Sequence, residues 1–422
     1  MVLKMRKMKD SGIEWIGEIP EGWETCRIKN VVTCHDEWRE PISADKRENS
    51  LKLYDYYGAS GVIDTIDNYN VDSTVLLIGE DGANLRLRNL PLVYRASGKF
   101  WVNNHAHILV VPPRNDYSFI AHLLESGDFT NYITGSAQPK LSQFNLMRFP
   151  IAIPSLDEQK HISNYLDIEC SRIDAMLTKT RSSIEEYKKL KQAVITQAVT
   201  KGVRGEREMK DSGVEWIGKI PREFDPVQLK FFCKLITDGT HFSPTTVENG
   251  WPYITAGDVH GIGLDYNSAK RISEEDFQLL VAQGCQPLKG DVLLVKDGAT
   301  TGRVGFVDSD TPCVILSSVA MLRPADNTDG HYLMYLLASD FLQKQILVSM
   351  AGSAMPRTTL TKLTKYIGLL PPLHEQKEIA NYLDAKCAEI DGLIAKKEQL
   401  VKELESYKKS LIYEVVTGKR EV

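Results

Sequence analysis

A chain of 422 residues, 42% hydrophobic and 25% charged, is long enough for two or three packed cores and has an ordinary globular composition. Its formal net charge of −5 argues against a globally basic nucleic-acid binder, so any basic surface must be local. Seven cysteines without a C-x-x-C pair argue against a disulfide framework, no apolar run is long enough for a membrane span, and the basic first nine residues are not followed by the apolar core of a secretory signal; the expectation is a cytoplasmic protein with free thiols.

The chain opens on an arm, Met8-Lys-Asp-Ser-Gly-Ile-Glu-Trp-Ile-Gly-Glu-Ile-Pro20, which returns as Met209-Lys-Asp-Ser-Gly-Val-Glu-Trp-Ile-Gly-Lys-Ile-Pro221. A first globule follows, from about Glu21 to Ile153. Thr74–Ile78 and His107–Val111 read as strands between Gly, Asn and Asp turns, and Tyr117–Ile133 has the spacing of a small amphipathic helix. Pro154 to Lys201 then reads as one long helix. Ser155-Leu-Asp-Glu158 fits a capping box, with Ser155 accepting from the first turn and Glu158 reaching back. The second globule, from about Arg222 to Leu370, repeats the plan. Val292-Leu-Leu-Val…Asp297-Gly-Ala matches Val75-Leu-Leu-Ile…Asp81-Gly-Ala, Gly352-Ser-Ala-Met-Pro-Arg matches Gly135-Ser-Ala-Gln-Pro-Lys, and Tyr332–Met350 is the equivalent helix. The loops differ: Tyr56-Tyr-Gly-Ala-Ser-Gly in one globule is set against Thr237-Asp-Gly-Thr-His-Phe-Ser-Pro in the other.

From Pro371 the long helix is written again, an ungapped copy of Pro154-Ser-Leu-Asp-Glu-Gln at an offset of 217 residues, with Pro372 where the first copy has Ser155. The arms are offset by only 201, so the second half carries 16 additional residues between arm and helix. Both helices place apolar residues in sevens. Leu166, Ile173, Tyr187 and Val194 run beside Cys170, Leu177, Ile184 and Ala198; Leu383, Ile390, Leu404 and Leu411 run beside Cys387, Ile394, Val401 and Val415. That is the seam of a coiled coil, broken at Thr180 and Lys191 in one copy and at Lys397 and Lys408 in the other. A stripe of roughly 65 Å, at about 1.5 Å per residue, needs an equally long partner, and the other copy is one. The domain plan is therefore 1–153 for arm and first globule, 154–202 for the central helical spacer, 203–370 for arm and second globule, and 371–422 for the C-terminal helical spacer.

Enzyme signatures are missing. Gly298-Ala-Thr-Thr-Gly302 lacks the lysine and serine of a phosphate loop, and Gly261-Ile-Gly263 is too short for a dinucleotide fingerprint. His105-Ala-His107 has no third metal ligand near it in sequence, and Cys26, Cys34 and His35 have no matching second pair. No G-x-S-x-G elbow and no acidic metal cluster stand out, nor an Asn/Asp-Pro-Pro-aromatic strip for handling a target base. Charge distribution is more telling. No Asp or Glu lies between Asp81 and Asp116, between Asp128 and Asp157, or between Asp340 and Glu375, and all three stretches hold Lys or Arg among Asn, Gln, Ser, Thr and Tyr. Such surfaces suit phosphate and base-edge contacts.

The arm Asp-Ser-Gly-x-Glu-Trp-Ile-Gly-x-Ile-Pro, the helix start Pro-x-Leu-x-Glu-Gln, the Val-Thr helix end, Asp238-Gly-Thr-His241 and the Tyr57-Gly-Ala-Ser-Gly61 loop together resemble the specificity subunit of a Type I restriction–modification enzyme. The resemblance covers nearly the whole chain; Pro372 in place of a serine, and Lys201-Gly202 against Gly418-Lys419, are small departures. It implies an α+β fold: two mixed α/β target-recognition domains separated by two long helices forming an antiparallel coiled coil, pseudo-two-fold from internal duplication. It also implies a non-catalytic DNA reader. Each domain reads one half of a split, asymmetric site, and the helix pair sets the gap and docks modification (methyltransferase) and restriction subunits. No cofactor is expected in this chain; S-adenosylmethionine belongs to the methyltransferase partner, of which two copies are expected, and ATP with Mg to the restriction partner.

Within that resemblance the first-choice DNA contacts are Gln138, Lys140 and Gln143 by the Gly135 loop, and Arg357, Thr359 and Lys362 by the Gly352 loop. Asn103, Asn104 and His105, with Ser317 and Ser318 at an equivalent place, come second. Arg86, Arg88, Thr240, His241 and Arg303 come third. The coiled-coil contacts are Leu166, Ile173, Leu177, Ile184, Leu383, Ile390, Ile394, Val401 and Leu404. The competing reading is a structural scaffold with two ligand-binding globules on a coiled-coil spacer, which predicts little salt-dependent DNA affinity.

Overall fold

The computed structural model describes residues 6–48, 50–214, 217–260, 263–350 and 356–422. They fall into two compact units, Met1–Arg181 with Gln399–Val422, and Ser182–Glu398. Each unit contains one globule and part of each long helix.

In the first unit the arm is a hairpin, Met8–Asp10 antiparallel to Glu18–Pro20. It caps the core: Ile13, Ile16 and Ile19 are buried, and Trp15 stacks on Phe149 at 5.3 Å while its indole N–H donates to the Pro150 carbonyl at 3.0 Å. The second arm forms the same hairpin, Met209–Asp211 with Lys219–Pro221; its Glu215-Trp216 lies outside the described residues.

Two four-stranded sheets build the first globule. One runs Gly61–Ile66, Tyr54–Gly58, Lys99–Val102, Val71–Asp72; the other runs Thr33–Cys34, Ala106–Val110, Val75–Gly79, Val93–Ala96. Val75–Gly79 is buried at every position, which explains its unbroken apolar run. The second globule repeats this with Cys233–Asp238, Val319–Pro324, Val292–Val295, Val304–Phe306 in one sheet and Thr246–Val247, Lys270–Ile272, Trp251–Ile254, Val314–Ile315 in the other. Its additional residues fall largely between Ile254 and Val292, where helix Glu274–Ala282 has no counterpart among the described residues of the first globule.

Two helix expectations need correction. Tyr117–Ser126 stops short of Ile133, a single turn Thr130–Tyr132 following it. Tyr332–Met350 is two helices, Gly330–Ala338 and Asp340–Ser349, broken at an extended, fully buried Ser339 whose hydroxyl donates to the Leu336 carbonyl. Matching N-caps start the equivalent helices: Asp116 accepts from Phe119 N at 2.8 Å, and Asp329 from Tyr332 N at 3.0 Å.

The long helices are Leu156–Lys201 and Leu373–Val416. Their shared Glu-Gln start is a joint to the globule. Gln159 is buried, accepts the N–H of Asp116 at 2.9 Å and donates to the Pro154 carbonyl; Gln376 accepts from Asp329 N at 2.9 Å and donates to Asn327 and Pro371 carbonyls. The capping box forms by half. Ser155 accepts weakly from Glu158 N at 3.4 Å, but the Glu158 carboxylate turns away to Arg6 and to the Trp23 indole N–H at 3.1 Å. Glu375 is held likewise by Arg207.

Within each unit the two helices pair antiparallel. In the first, Arg181 meets Glu405 and Asp174 meets Lys408; in the second, Lys191 meets Asp391 and Lys397 lies over the Tyr187 ring. Leu166, Ile173 and Leu177 are buried in the first unit with Leu411, Ile412 and Val415, while Val401 and Leu404 are half-buried. Leu383 and Ile390 are buried in the second unit, as is Ile184, and Ile394 is half-buried. Thr180 sits in the seam by donating its hydroxyl to the Met176 carbonyl at 2.8 Å.

Candidate nucleic-acid interface

In the first unit, strand Val75–Gly79 ends beside the start of Ala106–Val110, and the chain continues as Glu80-Asp81-Gly82. Glu80 N donates to the His105 carbonyl at 2.8 Å. The Gly135 loop returns over this end: Leu141 N donates to the Glu80 carbonyl at 2.7 Å and Gly82 N to the Pro139 carbonyl at 3.0 Å. Thr134 and Lys140 close the loop by exchanging two backbone hydrogen bonds of 2.8 Å. Gly135 has φ +79°, and a Cβ there would come within 2.4 Å of the Gln138 carbonyl, so the turn requires glycine. The tip from Gly135 to Gln138 is exposed. The Tyr57–Gly61 turn lies against the same end, because a Cβ on Gly79 would meet the Ala59 carbonyl at 2.6 Å and Asn103 N donates to the Tyr57 carbonyl.

The second unit repeats this backbone pattern with other side chains. Lys296 N donates to the Ser318 carbonyl at 2.8 Å, Thr358 N to the Lys296 carbonyl at 2.9 Å, and Gly298 N to the Pro356 carbonyl at 3.0 Å. Thr240 N donates to Ile315 O and Ser317 N to Thr240 O, clamping Asp238-Gly-Thr-His241 onto the turn after Val314–Ile315. A Cβ on Gly239 would lie 1.9 Å from the Ile315 carbonyl, so this approach also demands glycine. Residues 351–355, including Gly352, lie outside the described residues.

Hydrogen bonding corrects the loop correspondence. Asn103 N bonds the Tyr57 carbonyl as Leu316 N bonds the Ile254 carbonyl, so the counterpart of the Tyr57 turn is the stretch after Ile254. Cys34 pairs with Leu109, and Ile236 with Leu322. The counterpart of Asp238-Gly-Thr-His241 is therefore Asp36-Glu-Trp-Arg39, a segment the sequence did not single out.

Electrostatically the clusters are opposites. Glu80, 8% exposed, takes Arg39 and, at 3.0 Å, Lys140. Burial alone would raise its carboxyl, but the hydrogen bonds from Arg39 and Lys140 outweigh burial and hold it below the usual range. Lys296, 2% exposed, takes Asp297 at 2.8 Å and Asp238 at 3.3 Å. Arg357 Nε lies 2.9 Å from Asp297 Oδ1, an ion-pair distance without hydrogen-bond angles, so that oxygen and the buried Ser318 hydroxyl have no hydrogen-bond partner among the described residues.

The other candidates divide between the clusters and their supports. Gln138, Gln143, Asn104 and His105 are exposed at the first cluster, with His105 Nδ1 2.7 Å from Asp81; Asn103 is buried and its side-chain Oδ1 accepts the backbone N–H of His105. Arg86 donates to the Gly135 carbonyl at 3.0 Å. Arg88, in a left-handed conformation, turns elsewhere: it bonds the Glu125 carbonyl and, with Arg86, Asp128, Lys409 and Tyr413, lines a 380 Å³ cavity. In the second cluster Ser317 and Ser318 form the turn beside the buried Thr240, and His241 is exposed. Thr359 is an N-cap accepting from Lys362 N at 3.2 Å, Lys362 Nζ donates to the Ser349 carbonyl at 2.6 Å, and exposed Arg303 reaches the Val259 carbonyl at 3.5 Å.

His107 gains the neighbours that sequence spacing denied it. Its ring and the side chains of Cys34 and Asp36 bring three potential ligand atoms within 4.8 Å of one another. Both ring nitrogens already face acceptors, Asp36 Oδ2 at 2.7 Å and the Leu141 carbonyl at 2.8 Å, and Arg39 stands 3.2 Å from the same carboxylate oxygen. A dication there would meet the guanidinium, so the group reads as an ion-paired network that anchors the loop through Leu141.

Comparison with known proteins agrees with this architecture. The family described as Type I restriction modification DNA specificity domain matches residues 20–186 and 221–403. A putative type I restriction enzyme specificity subunit of Haemophilus influenzae, S.HindORF215P, is 27% identical over 392 residues, covering 91% of this chain and 93% of its own length. The putative MjaX specificity subunit of Methanocaldococcus jannaschii is 25% identical over an alignment of 437 positions, covering 96% of this chain and 95% of its own length. A chain solved in work on complex assembly and conformational transition of the type I R-M system shares the fold, with a TM-score of 0.69 at 18% identity over 95% of this chain and 99% of that one. With both halves of the chain matched in this way, this protein belongs to the Type I restriction–modification DNA specificity family.

Proposed function

We propose that this chain is the sequence-specific DNA-binding subunit of a Type I restriction–modification complex. Each unit reads one half of a bipartite, asymmetric site, the helix pair sets the gap between the halves, and methyltransferase and restriction subunits dock on the helical regions. One observation carries the reading: the same backbone cradle is built twice from different side chains, Glu80 with Lys140 in one and Lys296 with Arg357 in the other. A duplicated frame with divergent contact residues suits two readers of different sequences. An unbroken helix is stiff where a Gly/Ser linker is not, which suits half-sites at a fixed spacing and helical phase.

In this reading the chain contributes recognition and no chemistry. S-adenosylmethionine sits on the methyltransferase subunits, two of which bind, and ATP with Mg on the restriction subunits. Producing the chain with its methyltransferase partner in cells and sequencing the methylated positions tests the proposal. The expected result is one split motif with a fixed gap. A contiguous motif, or methylation by this chain alone, would overturn it, and a DNA affinity indifferent to salt would favour the structural scaffold.

A further inference from the structure

Glu80 and Lys296 occupy the same post in their units. Each follows an inner strand, Val75–Gly79 or Val292–Val295, gives its N–H to the opposite turn (His105 or Ser318), and offers its carbonyl to the residue after the loop cation (Leu141 or Thr358). These backbone duties need no particular side chain. Yet both positions carry a buried charge, of opposite sign, where an apolar side chain would avoid the desolvation cost. Each charge ties together loops from separate parts of the chain. Glu80 holds Arg39 and the loop residue Lys140; Lys296 holds Asp238 of the Gly239 loop and Asp297, which itself faces Arg357.

We propose that Glu80 and Lys296 are positioning residues for DNA recognition, each setting by its buried charge both the loop arrangement and the net charge that its unit presents to DNA. The inference rests on the reading that these clusters meet DNA. It implies opposite consequences in the two units. Glu80 occupies Lys140, so removing its charge releases a cation toward phosphate. Lys296 neutralises Asp238 and shares Asp297 with Arg357, so removing its charge leaves Asp238 uncompensated and the cluster one positive charge poorer toward phosphate.

The test uses the full chain assembled with its methyltransferase partner, after the wild-type target has been mapped. Binding is measured over a salt series to duplexes with both halves intact, with one half scrambled, and with both scrambled. Glu80→Gln is expected to tighten binding to the fully scrambled duplex, steepen its log–log salt dependence by about 0.9, and cut discrimination about tenfold at the first unit's half only. Lys296→Met is expected to weaken scrambled-duplex binding and cut discrimination about tenfold at the other half only. Adding Asp238→Asn to Lys296→Met recovers scrambled-duplex affinity, which a space-filling role for the lysine would not predict. Shifts of both variants in the same direction, equal loss at both halves, or discrimination unchanged in folded variants would overturn the inference. A wild-type complex without any split target would instead remove the functional reading beneath it.

Discussion

Lys408 donates to both carboxylate oxygens of Asp174, each at 2.7 Å, and the duplicated residues repeat the contact: Lys191 donates to both oxygens of Asp391. Lys191 and Lys408, two of the lysines that interrupt the heptad rows, are thus met by aspartates of the facing helix. The aspartates are more than half exposed, so each pair contributes little stability but specifies register. Asp174→Lys is expected to destabilise the first unit by about 0.5–1 kcal/mol, and the exchange Asp174→Lys with Lys408→Asp to restore it, as read from denaturant midpoints. A double exchange no better than the single would remove the register role.

Ile173 and Ile390 are 4% and 6% exposed in their helix pairs. Replacing both by Asp buries carboxylates without partners and is expected to cost about 3–5 kcal/mol per site. Wild-type thermal stability in that variant would contradict the packed seam.

The charge of Glu80 gives a pH signature. Its folded carboxyl titrates below its ordinary value of 4.5, so the stability it contributes is present above pH 4.5 and is lost as pH falls through the lower folded value. The difference in melting temperature between wild type and Glu80→Gln is therefore expected to be largest near neutrality and to shrink below pH 4.5. A gap that widens in acid would contradict the assignment.

Burial pushes the thiols of Cys26 and Cys170 up to about 11 and those of Cys34, Cys233 and Cys313 up to about 12; Cys285 and Cys387 are raised for the same reason. All seven are expected to react slowly with an aromatic disulfide reagent at pH 8 in the native protein and fast in denaturant. One fast native equivalent would contradict this.

Exchanging residues 21–153 for the globule of a relative is expected to change one half of the methylated motif and leave the other. Changes in both halves would end the modular reading.

Long-range order was legible in the sequence because duplication and heptad spacing repeat over tens of residues. Leu166, Ile173 and Leu383 announce the paired helices by period alone. The cradle chemistry was not legible. Glu80 and Lys296 look like ordinary surface charges until the strand ends close over them, and no local pattern distinguishes a buried ion from a solvated one. The additional residues between Ile254 and Val292 hid the counterpart of the Tyr57 turn, so Asp36-Glu-Trp-Arg39 passed unnoticed. The break at Ser339 was masked by apolar residues on both sides, where a buried hydroxyl bonded to the preceding turn does the work of a helix breaker.

The core of the first unit joins Trp23, Phe119 and Phe149 to Leu411, Ile412, Val415 and Val416, and Lys419 donates to the Ile16 carbonyl. On the ribosome, the globule made first therefore waits for Leu411, Ile412, Val415 and Val416 before its interior can close. All of the second unit, Ser182–Glu398, emerges in the meantime. Order of manufacture and order of completion are reversed, and the early half must pass through translation with an open apolar flank.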